Sequence, residues 1–264
     1  RFLFVTDDRD VNDLMSRGHI DEMIRRAIAC GIDPVHAIKM GSYNAARYFG
    51  LPSLGAVACG RLASLAVLDN LRDCRVTRTY QAGRLVALDG QPIDIDADKR
   101  KPPVLRSAIN VHWLEPGQFA IEAPSDGQCD VHVIEVREGR IDTGRSVERL
   151  SPIGGKLCAD PGRDLCKIAV IERHMASGNV GLGFVRGFGF SDGAIASTVS
   201  HDSHNLVVVG TNDHDMYTAA VHLVKIRGGF SLVRNGQVLA DVPLPIAGLM
   251  SDTDAGTLSE RLRV

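Results

Sequence analysis

A chain of 264 residues, 44% hydrophobic and 23% charged, has enough apolar material for one large domain or two ordinary ones. A formal net charge of -2 at pH 7 offers no basic field for a nucleic acid. No apolar run approaches the roughly 20 residues of a membrane span, so a soluble, cytoplasmic protein without nucleic-acid or membrane partners is expected.

The chain opens on FLFVTDDRD, where Phe2, Leu3, Phe4 and Val5 run into Thr6, Asp7 and Asp8. This reads as a buried strand delivering two carboxylates at its carboxyl end, where catalytic groups collect in parallel α/β architectures. The competing reading is that Asp7 or Asp8 caps the next helix or turn. A buried strand with no cap, tail or initiator Met before it suggests a start in mid-chain. Asp10 to Gly18 is polar and turn-rich. His19 to Cys30 then places Ile20, Met23, Ile24, Ala27 and Ile28 on one helical face, closed by Gly31. Asp33-Pro34 starts a helix expected to run through Ala37, Ile38, Met40 and Ala45 to Phe49, with Gly50 ending it.

From Leu54 the pattern changes to strands: Leu65 to Leu68, then Arg75 to Tyr80 and Arg84 to Ala87 around a Gln81-Ala82-Gly83 hairpin turn. Gln91 to Pro103 is charged and proline-bearing, which marks a domain boundary. Beyond it, strands are expected at Val131 to Ile141 around a Glu-Gly turn, at Lys167 to His174, at Ala194 to Val199 and at Leu206 to Gly210. Asn212 or Asp213 caps a helix carrying Met216, Ala219, Ala220, Leu223 and Val224 to Gly228-Gly229. Asn235-Gly236 follows as a hairpin turn, and the tail after Asp252 is expected to fray.

Ser200 to Asn205 reads SHDSHN and lies between two buried β runs. His201, Asp202, Ser203, His204 and Asn205 place five polar side chains in succession, and two histidines three apart can hold a metal or the edge of a purine; an ordinary polar loop is the alternative. Glu172-Arg173-His174, at a strand end, is a neighbouring polar group. The glycine string from Gly181 to Gly189 follows a strand, but no helix follows it and its spacing is not G-x-G-x-x-G, so a close-packed backbone is favoured over a dinucleotide loop. H-E-x-x-H and H-x-E with P-C-x-x-C are both absent, which disfavours zincins and the cytidine-deaminase zinc fold. His19 and His36 read as surface or packing residues, and His214 and His222 as solvent-facing. The six cysteines, Cys30, Cys59, Cys74, Cys129, Cys158 and Cys166, show no C-x-x-C spacing and read as free thiols.

Together FVTDDR (Phe4 to Arg9), GHIDEMIRRAIACGIDPVHAIKMGSYNAARYFGL (Gly18 to Leu51) and GAVACGRLASLAVLDNL (Gly55 to Leu71) resemble the end of an amidohydrolase barrel. IERH, GLGFVRGFG, GAIASTVSHDSHNLVVVG and VPLPIAGLMSD (Val242 to Asp252) are similar to the C-terminal domain of bacterial adenine deaminases. The resemblance implies an α/β and α+β chain. Residues 1–50 would be the last strand-helix unit of a (β/α)8 barrel, 51–92 part of a small β-sandwich, 93–103 a linker and 104–264 a C-terminal α+β domain. It implies deamination of adenine to hypoxanthine and ammonia in purine salvage, at a binuclear centre of manganese, iron or zinc that makes hydroxide available at neutral pH. Asp7 matches the aspartate closing the eighth strand, a metal ligand and proton shuttle, with Asp8 its neighbour. His201, Asp202, Ser203, His204, Asn205 and Glu172 are the candidates for holding the base. The resemblance also implies a homo-oligomer and a missing N-terminal barrel portion that carries the other ligands, without which the chain is inactive. Ala63-Ser64-Leu65, where the family usually has an acid after alanine, is a departure of local consequence. A related amidohydrolase acting on another purine or cyclic amidine, or a non-catalytic purine-binding module, are the alternatives.

Overall fold

The computed structural model describes residues 2–93 and 109–263, and the chain divides into two units, Arg1–Lys101 and Pro102–Val264. The expected linker at 93–103 lies, from 94 onward, outside the described residues, as does the start of the second domain up to 108.

In the first unit, residues 2–5 do not form the expected buried strand. Phe2 is 78% and Val5 57% exposed, and neither joins a ladder. A strand needs a neighbour for its backbone groups, and here helices stand in: Phe4 N donates to Met40 O at 3.2 Å and Asn44 Nδ2 to Phe2 O at 2.7 Å. The stretch read as turns contains a helix, α1 (Val11–Ser16), because Asp10 caps it by accepting from Asp13 N at 2.9 Å. Helix α2 (Ile20–Ala29) ends as expected, with Gly31 N bonded to Ile28 O and Ile32 N to Ala27 O. The single helix expected from Pro34 to Phe49 is two, α3 (Pro34–Gly41), capped by Asp33, and α4 (Tyr43–Tyr48). The break falls at Ser42, after Gly41 has packed so close to α2 that a Cβ there would lie 2.8 Å from Ile20 Cγ2 and Ile24 Cδ1.

Strands β1 (Leu65–Leu68), β2 (Val76–Gln81), β3 (Arg84–Leu88) and β4 (Gln91–Pro92) form one antiparallel sheet in that order. The β2–β3 turn is the two-residue Ala82-Gly83, with φ of +48° and +85°, as the hairpin reading requires. A second layer that would make this sheet a sandwich is not present among the described residues of the unit.

The second unit holds a two-stranded sheet, β5 (Ile121–Glu122) and β8 (Lys156–Leu157), and an eight-stranded one. The larger sheet contains β6 (Cys129–Glu135), β7 (Gly144–Leu150), β9 (Leu165–Ile171), β10 (Val180–Arg186), β11 (Ala194–Ser197), β12 (Leu206–Gly210), β13 (Gly229–Arg234) and β14 (Gln237–Pro243). Its order is β14-β13-β11-β12-β9-β10-β6-β7, with only the β10–β6 pair parallel. Helix α5 (Asp213–Lys225) lies on one face. Its Met216, Ala219, Ala220 and Leu223, spaced three and four apart, are fully buried against Ala169, Ile171, Ala196, Leu206, Val208 and Val233. The alanines let the helix approach closely, and the larger side chains contribute about 1.5–3 kcal/mol each by burial.

Polar side chains fix the ends of this layer. Asn212 caps α5, while Asp215 accepts from Asn235 N at 3.1 Å and Gly236 N at 2.6 Å, tying the expected hairpin turn to the helix start. Burial raises the pKa of Asp215, but these bonds and that from Asn212 outweigh it and hold the carboxyl below its usual range. Buried Lys167 donates to Phe119 O and pairs with Asp213. Gly229 is a position no other residue suits, since its φ is +128° and a Cβ would lie 1.9 Å from Val242 O.

Two further expectations change, for His222 and for the tail. His222 is not solvent-facing but half-buried, 2.7 Å from Asp241. His214 is exposed as expected, beside the Gly236 turn, where a Cβ on Gly236 would come within 2.6 Å of its Nε2. The tail forms a helix, α6 (Ala255–Arg261), because Asp254 accepts from both Thr257 N and Thr257 Oγ1. The glycine-rich segment packs against a carboxylate of the protein itself: Gly187 N and Gly189 N donate to Asp164 at 2.9 and 2.8 Å. Those amides are therefore consumed internally rather than held open for a phosphate. The six cysteines are free, and burial pushes the Cys166 thiol up to about 11. Among the described residues no helix is long and apolar enough to cross a membrane.

Candidate active site

In the first unit the helix cap that competed with the catalytic reading is made by Asp10, so neither Asp7 nor Asp8 is the cap of α1. Asp7 stands at φ +53°, the left-handed region that aspartate and asparagine tolerate best among residues with a side chain. Its carbonyl accepts from Arg9 N at 2.9 Å, while its exposed carboxylate makes no hydrogen bond or ion pair among the described residues. Asp8, also exposed, is adjacent.

The residues flanking the two acids are held to the start of α2. Thr6 Oγ1 and His19 Nε2 are 3.1 Å apart. Arg9 donates to Gly18 O at 2.7 Å and to Glu22 at 2.6 Å, with both charged side chains only 11% exposed. The Arg9 hydrogen bond, with further help from Arg17 and Arg26, holds the Glu22 carboxyl below its usual range. Arg9 and Glu22 were not among the residues singled out from the sequence. The available signal was a glutamate in the first turn of α2, beside the residues of its apolar face.

As a metal donor Asp7 has the right chemistry, an ionisable oxygen ligand with its lone pairs free. One carboxylate is not a metal centre, and among the described residues no group of three or more His, Cys, Asp and Glu side chains comes together to hold an ion.

In the second unit, the loops after β9 and β11 meet around Arg173, a side chain only 1% exposed. Its Nε donates to His204 O, and its Nη2 to Ala247 O at 3.2 Å and Thr198 O at 3.4 Å. His174 Nε2 donates to Ser203 O at 3.0 Å. The structure thus does bring Glu172-Arg173-His174 to the Ser200–Asn205 loop, but through Arg173 and His174.

Glu172 faces its own turn. Its carboxylate accepts from the backbone N of His174, from Met175 N at 2.7 Å, and from both Ser177 N and Ser177 Oγ at 2.9 Å. The Ser177 and Met175 amides, with that of His174, draw its pKa down from 4.5 to about 2 against a smaller opposing effect of burial. A folded-state value below the unfolded one means that this contribution to stability is full above the unfolded value and is lost as pH falls toward 2. The Met175 and Ser177 amide NMR resonances should therefore titrate with a midpoint near 2, and Glu172→Gln should abolish that titration. A midpoint at or above 4 would contradict this geometry.

Within Ser200–Asn205, the rings of His201 and His204 meet edge to face with centroids 4.8 Å apart. Asp202 projects fully into solvent with one oxygen 3.4 Å from His201 Nδ1, and Ser203 Oγ accepts from Asn205 N at 3.4 Å. His204 Nδ1 and Asn205 Oδ1 are shielded from solvent and have no hydrogen-bond partner. Two unpaired polar atoms on successive residues are unusual in a folded interior. The sequence reading passed over Thr198 and the 247–248 backbone, which complete this cluster; Thr198 Oγ1 donates to Gly248 O at 2.6 Å.

Comparison with known proteins places both units. Residues 1–86 match the amidohydrolase family, and residues 140–264 match the adenine deaminase C-terminal domain. An adenine deaminase of Nitratidesulfovibrio vulgaris strain DP4 is 43% identical over 260 residues, covering 98% of this chain and 44% of the relative. One from Dehalococcoides mccartyi strain BAV1 is 45% identical over 251 residues, 95% of this chain and 43% of the relative. A third, from Halalkalibacterium halodurans, is 39% identical over 264 residues, 100% of this chain and 45% of the relative. The chain spans somewhat less than half the length of these relatives.

The first unit therefore belongs to the amidohydrolase family. More particularly, the chain belongs with the adenine deaminases, whose C-terminal domain it carries over residues 140–264.

Proposed function

We propose that this chain acts, within a full-length protein, in the hydrolysis of adenine and water to hypoxanthine and ammonia. The observation that carries the proposal is similarity to adenine deaminases running continuously through both units at 43–45% identity. The resemblance to a (β/α)8 barrel end and to part of a β-sandwich belongs to the same proposal. So do a cytoplasmic setting, a role in purine salvage and a homo-oligomeric assembly.

Asp7 is assigned two roles at its carboxylate. It is one ligand of a binuclear divalent centre of manganese, iron or zinc, and it carries a proton from the attacking water toward the departing amino group. Bound metal would supply a water acidic enough to be hydroxide at neutral pH. The remaining ligands are assigned to chain outside these 264 residues, so the chain alone is expected to be inactive. Asp8 is assigned no ligand role.

His201, Asp202, Ser203, His204 and Asn205 are assigned to handling the base. Adenine presents an amino donor beside a ring-nitrogen acceptor. An amide oxygen and an imidazole nitrogen, such as the unpaired atoms of Asn205 and His204, complement that edge. Glu172 supports this loop from its own turn and is not assigned a contact with the base.

The test is ammonia release from adenine by the metal-loaded, full-length protein. His201→Ala and Asn205→Ala should each raise the Michaelis constant for adenine, by about tenfold if one hydrogen bond is lost. Release from another purine alone would favour a related amidohydrolase, and binding without turnover a purine-binding module. Unchanged kinetics in both variants would return Ser200–Asn205 to an ordinary connection.

A further inference from the structure

The acids at positions 7 and 8 are anchored on both sides, although no strand runs beside them. Upstream, Phe2 O and Phe4 N are bonded to Asn44 and Met40, and Thr6 Oγ1 meets His19 Nε2. Downstream, the Arg9 guanidinium reaches both Gly18 O and Glu22. The receiving turn is itself fixed. His19 N donates to Asp21 at 2.7 Å, while Arg25 bridges Asp21 and Arg17 O at 2.7 and 2.9 Å. Gly18, at φ +106°, has no room for a Cβ, which would lie 2.7 Å from Asp21 Oδ2. Every one of these bonds leaves the Asp7 carboxylate unengaged.

We propose that Arg9 and Glu22, assisted by Thr6 and His19, are positioning residues that hold the Asp7 carboxylate where its ligand role requires it; this rests on the reading of Asp7 as a metal ligand. A carboxylate on an unsupported left-handed residue would sample many directions, and each would have to be given up on binding an ion. The clasp removes that freedom beforehand by fixing the backbone on either side of Asp7. The Arg9–Glu22 pair suits the task because its guanidinium makes two directed bonds, which a lysine ammonium cannot reproduce in the same plane.

The experiment uses the full-length protein and four variants: Arg9→Lys, Glu22→Gln, Arg9→Gln with Glu22→Gln, and Asp7→Asn. Bound manganese is measured against a competing chelator, alongside kcat, the Michaelis constant for adenine, and the unfolding temperature. Removing one partner leaves a poorly solvated charge, so Glu22→Gln alone is expected to lower stability. The double variant removes both charges and is the one to read where a single variant fails to fold.

For Arg9→Lys and the double variant, manganese affinity should fall about tenfold and kcat about a hundredfold. The Michaelis constant should stay within about twofold, because the change acts on the placement of the reacting groups rather than on binding of the base. Manganese affinity and kcat per folded molecule that match the wild type would overturn the proposal. A loss accounted for wholly by unfolded protein would do the same. If Asp7→Asn itself retains metal and turnover, the ligand reading of Asp7 is what fails. If Asp7→Asn abolishes both and the Arg9 and Glu22 variants do not, only the positioning role fails.

Discussion

Asp7→Asn in the full-length protein is expected to lower ammonia release from adenine by about a thousandfold or more, with the unfolding temperature unchanged. The backbone gives the reason for expecting an intact fold. At φ +53° asparagine is accommodated as readily as aspartate, and the carboxylate being replaced holds no other group of the described structure. The chemistry gives the reason for the size of the loss. An amide keeps an oxygen to offer a metal but carries no negative charge, and it cannot accept and release a proton near neutral pH. Steady-state ammonia release with a parallel thermal melt checks both halves. Near-wild-type turnover would remove Asp7 from the chemistry, and a large fall in melting temperature would reassign it to the fold.

Much of the second unit was legible in the sequence because its signals are local. Met216, Ala219, Ala220 and Leu223 show helical spacing, Asn212 is a cap by composition, and Asn235-Gly236 is a turn that few other dipeptides can make. The first unit was harder. Phe2 to Val5 has a strand's composition, but a strand exists only with a neighbour to complete its hydrogen bonds, and composition does not say whether one is present. Ser42 was missed because the break depends on Gly41 approaching Ile20 and Ile24, a contact with another helix. The same distinction runs through the candidate sites. The residues of SHDSHN stand out as a polar run between apolar ones, whereas the roles of Arg9, Glu22 and Arg173 depend on partners distant in sequence. Glu172 is legible in the sequence as a polar neighbour of the loop, but that its carboxylate turns toward amides two to five residues onward depends on the local turn and not on composition.

Arg173 is where the second large effect is expected. It continues the run of β9 into the loop that follows, and it is the largest of the fully buried side chains. Burial lowers its pKa from the ordinary arginine value, the direction expected when a guanidinium leaves water. Its bonds to the carbonyls of Thr198, His204 and Ala247 join the ends of β9 and β11 to the 246–250 turn, where a Cβ on Gly248 would lie 3.2 Å from Arg173 Nη1. Arg173→Leu would fill much of the volume but leave these carbonyls without that donor, at about 1–3 kcal/mol for each one left unpaired. A total near 4 kcal/mol corresponds to a fall of roughly 10 °C in unfolding temperature for a unit of this size. Arg173→Lys should recover only part of it, because one ammonium cannot reach carbonyls presented on three separate segments. Below the melting temperature, the leucine variant should also release the Ser200–Asn205 loop, since His204 O and Ser203 O are the atoms by which Arg173 and His174 hold it. Hydrogen exchange at residues 203–206 is therefore expected to quicken in Arg173→Leu before global unfolding begins. A melt within about 2 °C of the wild type, where roughly 10 °C is expected, would show that the carbonyls find other partners and that Arg173 is not the post on which the loop is built.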